Sequence, residues 1–486
     1  MGLYDQLTHP VALLIFLLTL FLPILIGFLT LRRTKNQSDF FIGGRMMDKF
    51  VVALSAVSSG RSSWLVLGVS GMAYTLGVGA VWAVVGYITA EMFQFIYLGR
   101  KLRQETETYK SITLLDYFES RFQDKKQHIR LVGSLIISIF IVAYVAAQFN
   151  AGAKSLSTAL NVPFLPALIL SAVLILIYMV MGGYIAVAYN DVVRAIILII
   201  GLVIFPAYGL AKVGGLSALL QTLAQLNPAS IDPFSLGLGA IIGFIGIGLG
   251  SPGQPHIVVR YMSIDDEDKL RLSAVIGTFW NVVLGWGAVF IGLLGRYFVS
   301  SIEQIPNHDP EMIYLVLSSK FFSPILYGLI IGGIFAAILS TADSQLLVVA
   351  STFVRDLYEK ILKKTSIIDE KTKLKLSRWV VFFSGVLAIF LACIAQDLIF
   401  WLVLFAWGGL GAAFGTSLIF ALYWKKTTKA GILAGMITGT VVVIIWKLFL
   451  KEATGLYELI PAFGLACVAI WIVSLISSAP PNLDEP

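Results

Sequence analysis

Ser58-Ser59-Gly60-Arg61-Ser62-Ser63-Trp64 lies inside an apolar run from Phe50 to Tyr74. Serines, a glycine and an arginine occupy the middle of a segment long enough to cross a bilayer. An arginine at bilayer depth costs about 2.5–3.5 kcal/mol on insertion scales, so intramembrane charges are kept for a function. The stretch therefore reads as a broken spanning helix whose backbone and polar side chains face something other than lipid.

The composition around it agrees. Of 486 residues 58% are hydrophobic and 13% are charged, against roughly a quarter charged in a soluble domain. Mean hydropathy is +0.87. Apolar spans recur from Pro10 to Ser477 without a long polar block, so the chain reads as one all-α polytopic membrane domain over residues 1–486. A net charge of +7 raises nucleic acid as a partner. Basic residues gathering in cytoplasmic loops account for it more simply, and no nucleic-acid role is expected. Cys393 and Cys467 sit in separate spans and give neither a disulfide framework nor a metal pattern. The first apolar segment lacks a basic n-region and a cleavage site, so it is expected to be a retained span.

A helix needs about 20 apolar residues to cross the hydrocarbon core. Thirteen segments qualify: roughly 10–31, 47–74, 77–99, 129–158, 163–181, 190–211, 236–258, 271–300, 322–354, 376–396, 397–424, 428–450 and 457–477. Of the 35 lysines and arginines, 28 fall in alternate loops, six on the other side, and Arg61 within a span. The rich side is cytoplasmic, which places the N-terminus outside, the C-terminus inside, and the protein in the cell membrane. The loop after the third span holds Ile112, Leu115, Phe118 and Phe122 at helical spacing and predicts a short amphipathic helix over 111–122. The Lys/Glu-rich stretch 355–378 reads as a solvated linker, and the tail Ser478–Pro486 as frayed.

Span seven is also interrupted, by Gly246, Gly248, Gly250, Ser251, Pro252, Gly253, Gln254 and Pro255, a set that breaks a continuous helix. Span nine carries Ser340-Thr341-Ala342-Asp343-Ser344-Gln345. Span four places Tyr144 and Gln148 four residues apart on one face. The two broken spans are five helices apart, and five is odd. A second unit over 236–424 would then be inserted upside down relative to a first over 47–211, with 10–31 as an extra helix and 428–477 as two more. Interrupted segments at matching places in two halves point to a transporter site. The hydroxyls of Ser340 and Thr341 suit a hard cation such as sodium, which takes oxygen ligands. A blander reading is open for each segment alone: serines and threonines bond back into their own helices, and glycine clusters let helices approach closely.

The residues Asp39-Phe40-Phe41-Ile42-Gly43-Gly44-Arg45, Gly182-Gly183-Tyr184-Ile185-Ala186-Val187, Gly253-Gln254-Pro255-His256 with Arg260-Tyr261-Met262, Ser340 to Leu347, Ala406-Trp407 through Phe414-Gly415, and Gly455 to Pro461 resemble the sodium/solute symporter family, and within it the bacterial sodium/proline symporters. The resemblance covers nearly the whole chain in order. It implies thirteen helices with a five-plus-five inverted-repeat core, helices two and seven being broken. It implies a sodium site from the carbonyls of Ser58, Arg61 and Ala337 and the hydroxyls of Ser340 and Thr341, and a solute pocket at Ser62, Ser63, Tyr144, Gln148, Ser251 and Trp407. Asp191 matches an acidic residue linked to sodium release toward the cytoplasm; its other reading is a charge favoured by a helix N-terminus. Proline carriers differ at Gly60, where they have an acidic residue, at Arg61, where they have a neutral one, and at Ile247 and Ser251, where they have aromatics. Arg61 therefore meets either a solute carboxylate or Asp343.

The expected function is sodium-coupled symport of a small solute by alternating access, an amino acid such as proline first. Alternatives are another carboxylate-bearing solute, such as pantothenate or a monocarboxylate, and a channel or sensor that binds solute without pumping it. An enzyme is not expected, because four scattered histidines and no paired carboxylates offer no catalytic constellation. No cofactor is implied beyond sodium as the coupling ion. The partners are the solute, sodium and the lipid bilayer; nothing in the sequence sets an oligomeric state.

Overall fold

In the computed structural model residues 5–30, 37–179, 183–362, 369–395 and 397–477 are described. Gly182 of the second family motif, Arg32, Arg33 and Lys35 of the first loop, and the tail Ser478–Pro486 lie outside them. Among the described residues the regular structure is helical, apart from one isolated bridge between Met47 and Ile264. Ten of these helices are long and apolar enough to cross a membrane by length and composition. The expected fifth and seventh spans and the first half of the second are not among the ten; they fall on shorter apolar helices, Phe164–Leu174, Leu238–Gly253 and Lys49–Gly60, while the rest of the second span runs on into the third within Trp64–Thr108. Aromatic residues such as Phe21, Phe28, Phe383 and Phe390 stand exposed on the perimeter. Large apolar side chains exposed in such number suit a protein embedded in an apolar medium.

The opening stretch breaks its helix as the sequence suggests. Asp48 caps the first half, its carboxylate accepting from the Phe50 N–H at 2.7 Å, the usual role of a residue just before a helix. The half-helix Lys49–Gly60 ends at Arg61, where φ −102° and ψ 62° leave helical geometry. Ser62 then starts the second half: its hydroxyl accepts from the Trp64 N–H at 3.1 Å. That half begins with a π-turn over Trp64–Val69 and stops at Gly77, whose φ of +69° suits glycine. A Cβ there would lie 2.1 Å from the Ser230 carbonyl oxygen.

The seventh span is Leu238–Ile245, a 3₁₀ segment Gly246–Gly253, and the helix Pro255–Ser263. Proline at the first helical position restarts the helix without losing a needed donor. The bridge between Met47 and Ile264 ties the start of one broken span to the end of the other. The half-helix Lys49–Gly60 is packed by Tyr184–Val213, Pro255–Ser263, Leu270–Phe298 and Pro324–Ser351, so the break lies in the middle of the bundle.

Three expectations need correcting. The predicted helix over 111–122 is present as Leu114–Arg121, capped by the Thr113 hydroxyl on the Asp116 N–H at 3.0 Å, but the stretch 355–378 is not simply solvated. Its start is a wide helical segment, Thr352–Leu362, and Asp356 is buried there in an ion pair with Arg130. Arg194 and Arg260, counted with the loops, are buried inside the helices Tyr184–Val213 and Pro255–Ser263. Asp191 is not at a helix N-terminus. The helix begins at Tyr184, two turns earlier, beyond the reach of the terminal dipole.

Candidate functional site

The scaffold side of the site is the helix Pro324–Ser351, whose polar stretch is buried from Ser340 to Gln345. Ser340 Oγ donates to the Ser58 carbonyl at 3.0 Å and to the Ala337 carbonyl at 2.9 Å. Thr341 Oγ1 donates to the Ser59 carbonyl at 2.9 Å. Because the chain turns away at Arg61, the Ser58 carbonyl keeps only a backbone bond from the Arg61 N–H at 3.2 Å, and the Ser59 carbonyl points past the end of its half-helix. Four of the five residues expected around a cation, Ser58, Ala337, Ser340 and Thr341, thus come together as neutral oxygens. Thr341 meets the carbonyl of Ser59, one residue past Ser58, and the Arg61 carbonyl is not among the partners of these hydroxyls. An all-oxygen donor set is what sodium takes. The hydroxyl protons would rotate away when a cation replaces them as the carbonyls' partner.

Across the break, Ser63 donates to Gln148 Oε1 from both its N–H, at 3.2 Å, and its hydroxyl, at 3.0 Å. The Ser62 and Tyr144 hydroxyls are 3.4 Å apart, and Tyr144 meets His256 edge to face at 6.0 Å between ring centres. Ser62, Ser63, Tyr144 and Gln148 therefore form one polar cluster joining the break to His128–Leu160. The other two residues expected to hold solute are spent elsewhere. Ser251 is bonded through its hydroxyl to Gln94, and its carbonyl accepts from Gln94 Nε2 at 3.3 Å. Trp407 donates from its indole to the Ile247 carbonyl at 2.8 Å, and its ring lies 5.4 Å from that of Tyr87, which in turn lies 6.1 Å from Trp64.

Arg61 does not pair with Asp343. Its Nη2 lies 3.0 Å from Glu91 Oε2, both side chains are buried, and its guanidinium stacks over the Tyr87 ring at 3.3 Å. Asn281 also donates to Glu91. Asp343 instead pairs with Arg194 at 2.6 Å. Arg194 also lies 3.6 Å from Asp191, which is 3.2 Å from Arg260. Ser55 donates to Asp191 at 2.7 Å, and Arg260 donates to Ser344 and Ser55. Two arginines and two aspartates thus form a buried, charge-balanced cluster directly beside Ser340. A cavity of about 40 Å³ runs from Arg260 and Ser344 to Thr113 and Asp356, beside the short helix Leu114–Arg121.

Sequence reasoning missed Tyr87, Glu91, Arg194, Arg260 and Asn281. Glu91 left a signal: it is a carboxylate in the expected span 77–99, as costly there as Arg61, and two opposite intramembrane charges call for each other. Arg194 and Arg260 left none, because each sits close enough to a span end to be read as a loop residue.

The model of the sodium:solute symporter family matches residues 40–439. The osmoregulated proline transporter OpuE of Bacillus subtilis is 34% identical over 460 residues, covering 94% of this chain and 93% of its own. The sodium/proline symporter of Escherichia coli is 34% identical over 473 residues, 96% and 93% of the two chains. Among solved structures, a sodium-coupled sialic acid symporter in a substrate-bound, outward-open state superposes with a TM-score of 0.80 at 20% identity, covering 96% of this chain and 98% of that one. At that identity the likeness is one of fold.

Proposed function

This chain belongs to the sodium:solute symporter family, and from that premise we propose that it couples sodium entry to the import of a small amino acid, proline first. The observation that carries the reading is the pair of hydroxyls, Ser340 and Thr341, set against the carbonyls of Ser58 and Ser59. Sodium bound there would bridge the broken helix to the scaffold helix Pro324–Ser351 and favour one relation of the two. Solute would bind at Ser62, Ser63, Tyr144 and Gln148, and the bundle carrying the broken helices would then rock to release both. Asp191 accepts from Ser59 beside the ion site and pairs with Arg260, which with Ser344 lines the cavity that reaches Asp356, and this supports a part in ion release.

The architecture that goes with this reading has thirteen spans in the cell membrane, the N-terminus outside and the C-terminus inside. Residues 47–211 and 236–424 are the inverted repeats, with 10–31 and 428–477 outside them. Each charge moved down about 100 mV supplies about 2.3 kcal/mol, enough for roughly fifty-fold accumulation. Another carboxylate-bearing solute is the second reading, motivated by Arg61, but Glu91 already neutralises that arginine, which weighs against a solute with a net negative charge.

The test is uptake of labelled L-proline by proteoliposomes. An inward sodium gradient is expected to drive accumulation above equilibrium, and choline in place of sodium to abolish it. Saturable proline uptake without sodium dependence sinks the coupling; sodium-driven uptake of pantothenate or a monocarboxylate, with none of proline, sinks the substrate. Entry of solute without accumulation identifies a channel.

A further inference from the structure

Arg61 and Glu91 form a buried pair that is only half used. Arg61 Nη2 engages Glu91 Oε2, while Arg61 Nη1, Glu91 Oε1 and the Tyr87 hydroxyl have no hydrogen-bond partner among the described residues. The exposures of the three side-chain-bearing residues are 2%, 0% and 2%. A buried ion pair offsets its desolvation only when its remaining protons and lone pairs are also satisfied. Each orphaned polar atom in a dry interior is costly and calls for a ligand or a role. Here a free donor on a cation and a free acceptor on an anion occur on one pair, at the residue next to Ser62 and Ser63. Trp64 and Trp407 flank Tyr87 on its far sides, and the Trp64 indole N–H is unpartnered too.

We propose that Arg61 and Glu91 together are the recognition element for a zwitterionic solute, Arg61 Nη1 taking the carboxylate and Glu91 Oε1 the ammonium, with Glu91 the residue that excludes carboxylates lacking an amine. A zwitterion lies antiparallel on the pair and brings no net charge into a neutral site. An amine-free carboxylate would set a second negative group against Glu91, and like charges at that distance disfavour one another. This rests on the symport reading above but is separable from it, since it concerns the ratio between ligands rather than coupling to sodium.

The experiment measures competition against labelled L-proline by three probes: unlabelled L-proline, tetrahydrofuran-2-carboxylate, which keeps the ring and loses the amine, and pyrrolidine, which keeps the amine and loses the carboxylate. Wild-type protein is expected to prefer the zwitterion over either analogue by about a hundredfold. Glu91→Gln is expected to bring tetrahydrofuran-2-carboxylate to within about tenfold of proline, and Glu91→Asp to restore most of the discrimination. Because Glu91→Gln leaves Arg61 unpaired, the neutral double variant Arg61→Gln/Glu91→Gln is measured beside it, with monodispersity in detergent and binding by thermal shift as controls on folding. Its preference for the zwitterion is expected to vanish. Parallel loss of affinity for all three probes in Glu91→Gln, or an unchanged preference in a folded double variant, overturns the inference. So does a wild-type protein that binds the amine-free carboxylate as tightly as proline, even with sodium-driven uptake intact.

Discussion

The two breaks are alike in sequence position and unlike in construction. The first, at Arg61-Ser62-Ser63, is held by side chains. Ser62 caps the second half-helix, Ser63 donates to Gln148, and the carbonyls of Ser58 and Ser59 receive Ser340 and Thr341. The second, Gly246–Gly253, is held by close backbone approach. A Cβ on Gly248 would lie 2.3 Å from the Gly86 carbonyl oxygen, one on Gly250 2.1 Å from the Trp407 indole nitrogen, and one on Gly253 2.4 Å from the Leu410 carbonyl oxygen. Gln254 then stitches that break to its neighbour, donating to the carbonyls of Gly250 and Trp407 at 3.0 Å each. A break built from hydroxyls and carbonyls offers ligands to an ion or solute. A break built from glycines offers a surface against which another helix can lie, and the blander reading of a glycine cluster applies there.

Substitutions can set this contrast at risk, beginning with the steric break. Gly253→Ala pushes a methyl into backbone, which cannot swing aside, so a cost of about 3 kcal/mol at the upper end of overpacking is expected. It should show as loss of monodisperse protein and of uptake together, whatever the sodium concentration. Full stability in Gly253→Ala would remove the steric account of the second break.

The next effect is smaller and of a different kind. Ser340→Ala or Thr341→Ala takes one oxygen from the proposed ion site, and a lost contact to a charged group of about 1.5 kcal/mol raises the sodium needed for half-maximal uptake about tenfold. Stability in sodium-free buffer should fall by only about 1 kcal/mol, the worth of the lost buried hydrogen bond, so the sodium response is the larger readout. A loss of stability without a change in sodium response would make these hydroxyls packing elements instead.

Ser62→Ala removes the cap of the second half-helix, worth about 1 kcal/mol. It should lower the melting temperature modestly and weaken solute binding, leaving sodium half-saturation in place. The smallest effect is expected at Ser251. Its hydroxyl is committed to Gln94, so Ser251→Ala should cost about 1 kcal/mol of stability while the half-saturation constants for sodium and solute stay unchanged in uptake assays. A changed solute affinity in Ser251→Ala would bring the second break back into the binding site.

Much of the site was legible before any coordinates. The serines and arginine at 58–63, the hydroxyls at 340–341, and Tyr144 with Gln148 on one helical face announce themselves because polarity in an apolar span is locally expensive. What was not legible were the partners. Arg61 had Asp343 as its apparent counter-charge, yet it found Glu91, thirty residues along the chain, while Asp343 went to Arg194. Asp191 looked like a helix-start residue until the helix was seen to begin at Tyr184. Ser251 and Trp407 came into the expected pocket through the family resemblance; nothing in the sequence showed that their side chains bond to Gln94 and to the Ile247 carbonyl.

The sequence by itself determined that the chain crosses a membrane many times, where its helices run, and which two spans break. Hydropathy, helix propensity and the cost of a polar group in lipid are properties of a residue and its near neighbours. Only the tertiary structure decided which charge answers which, that one break presents ligand atoms and the other a packing surface, and that Glu91 stands beside Arg61. Those outcomes depend on which distant helices are brought within about 4 Å of each other, the range over which a buried charge must find its partner.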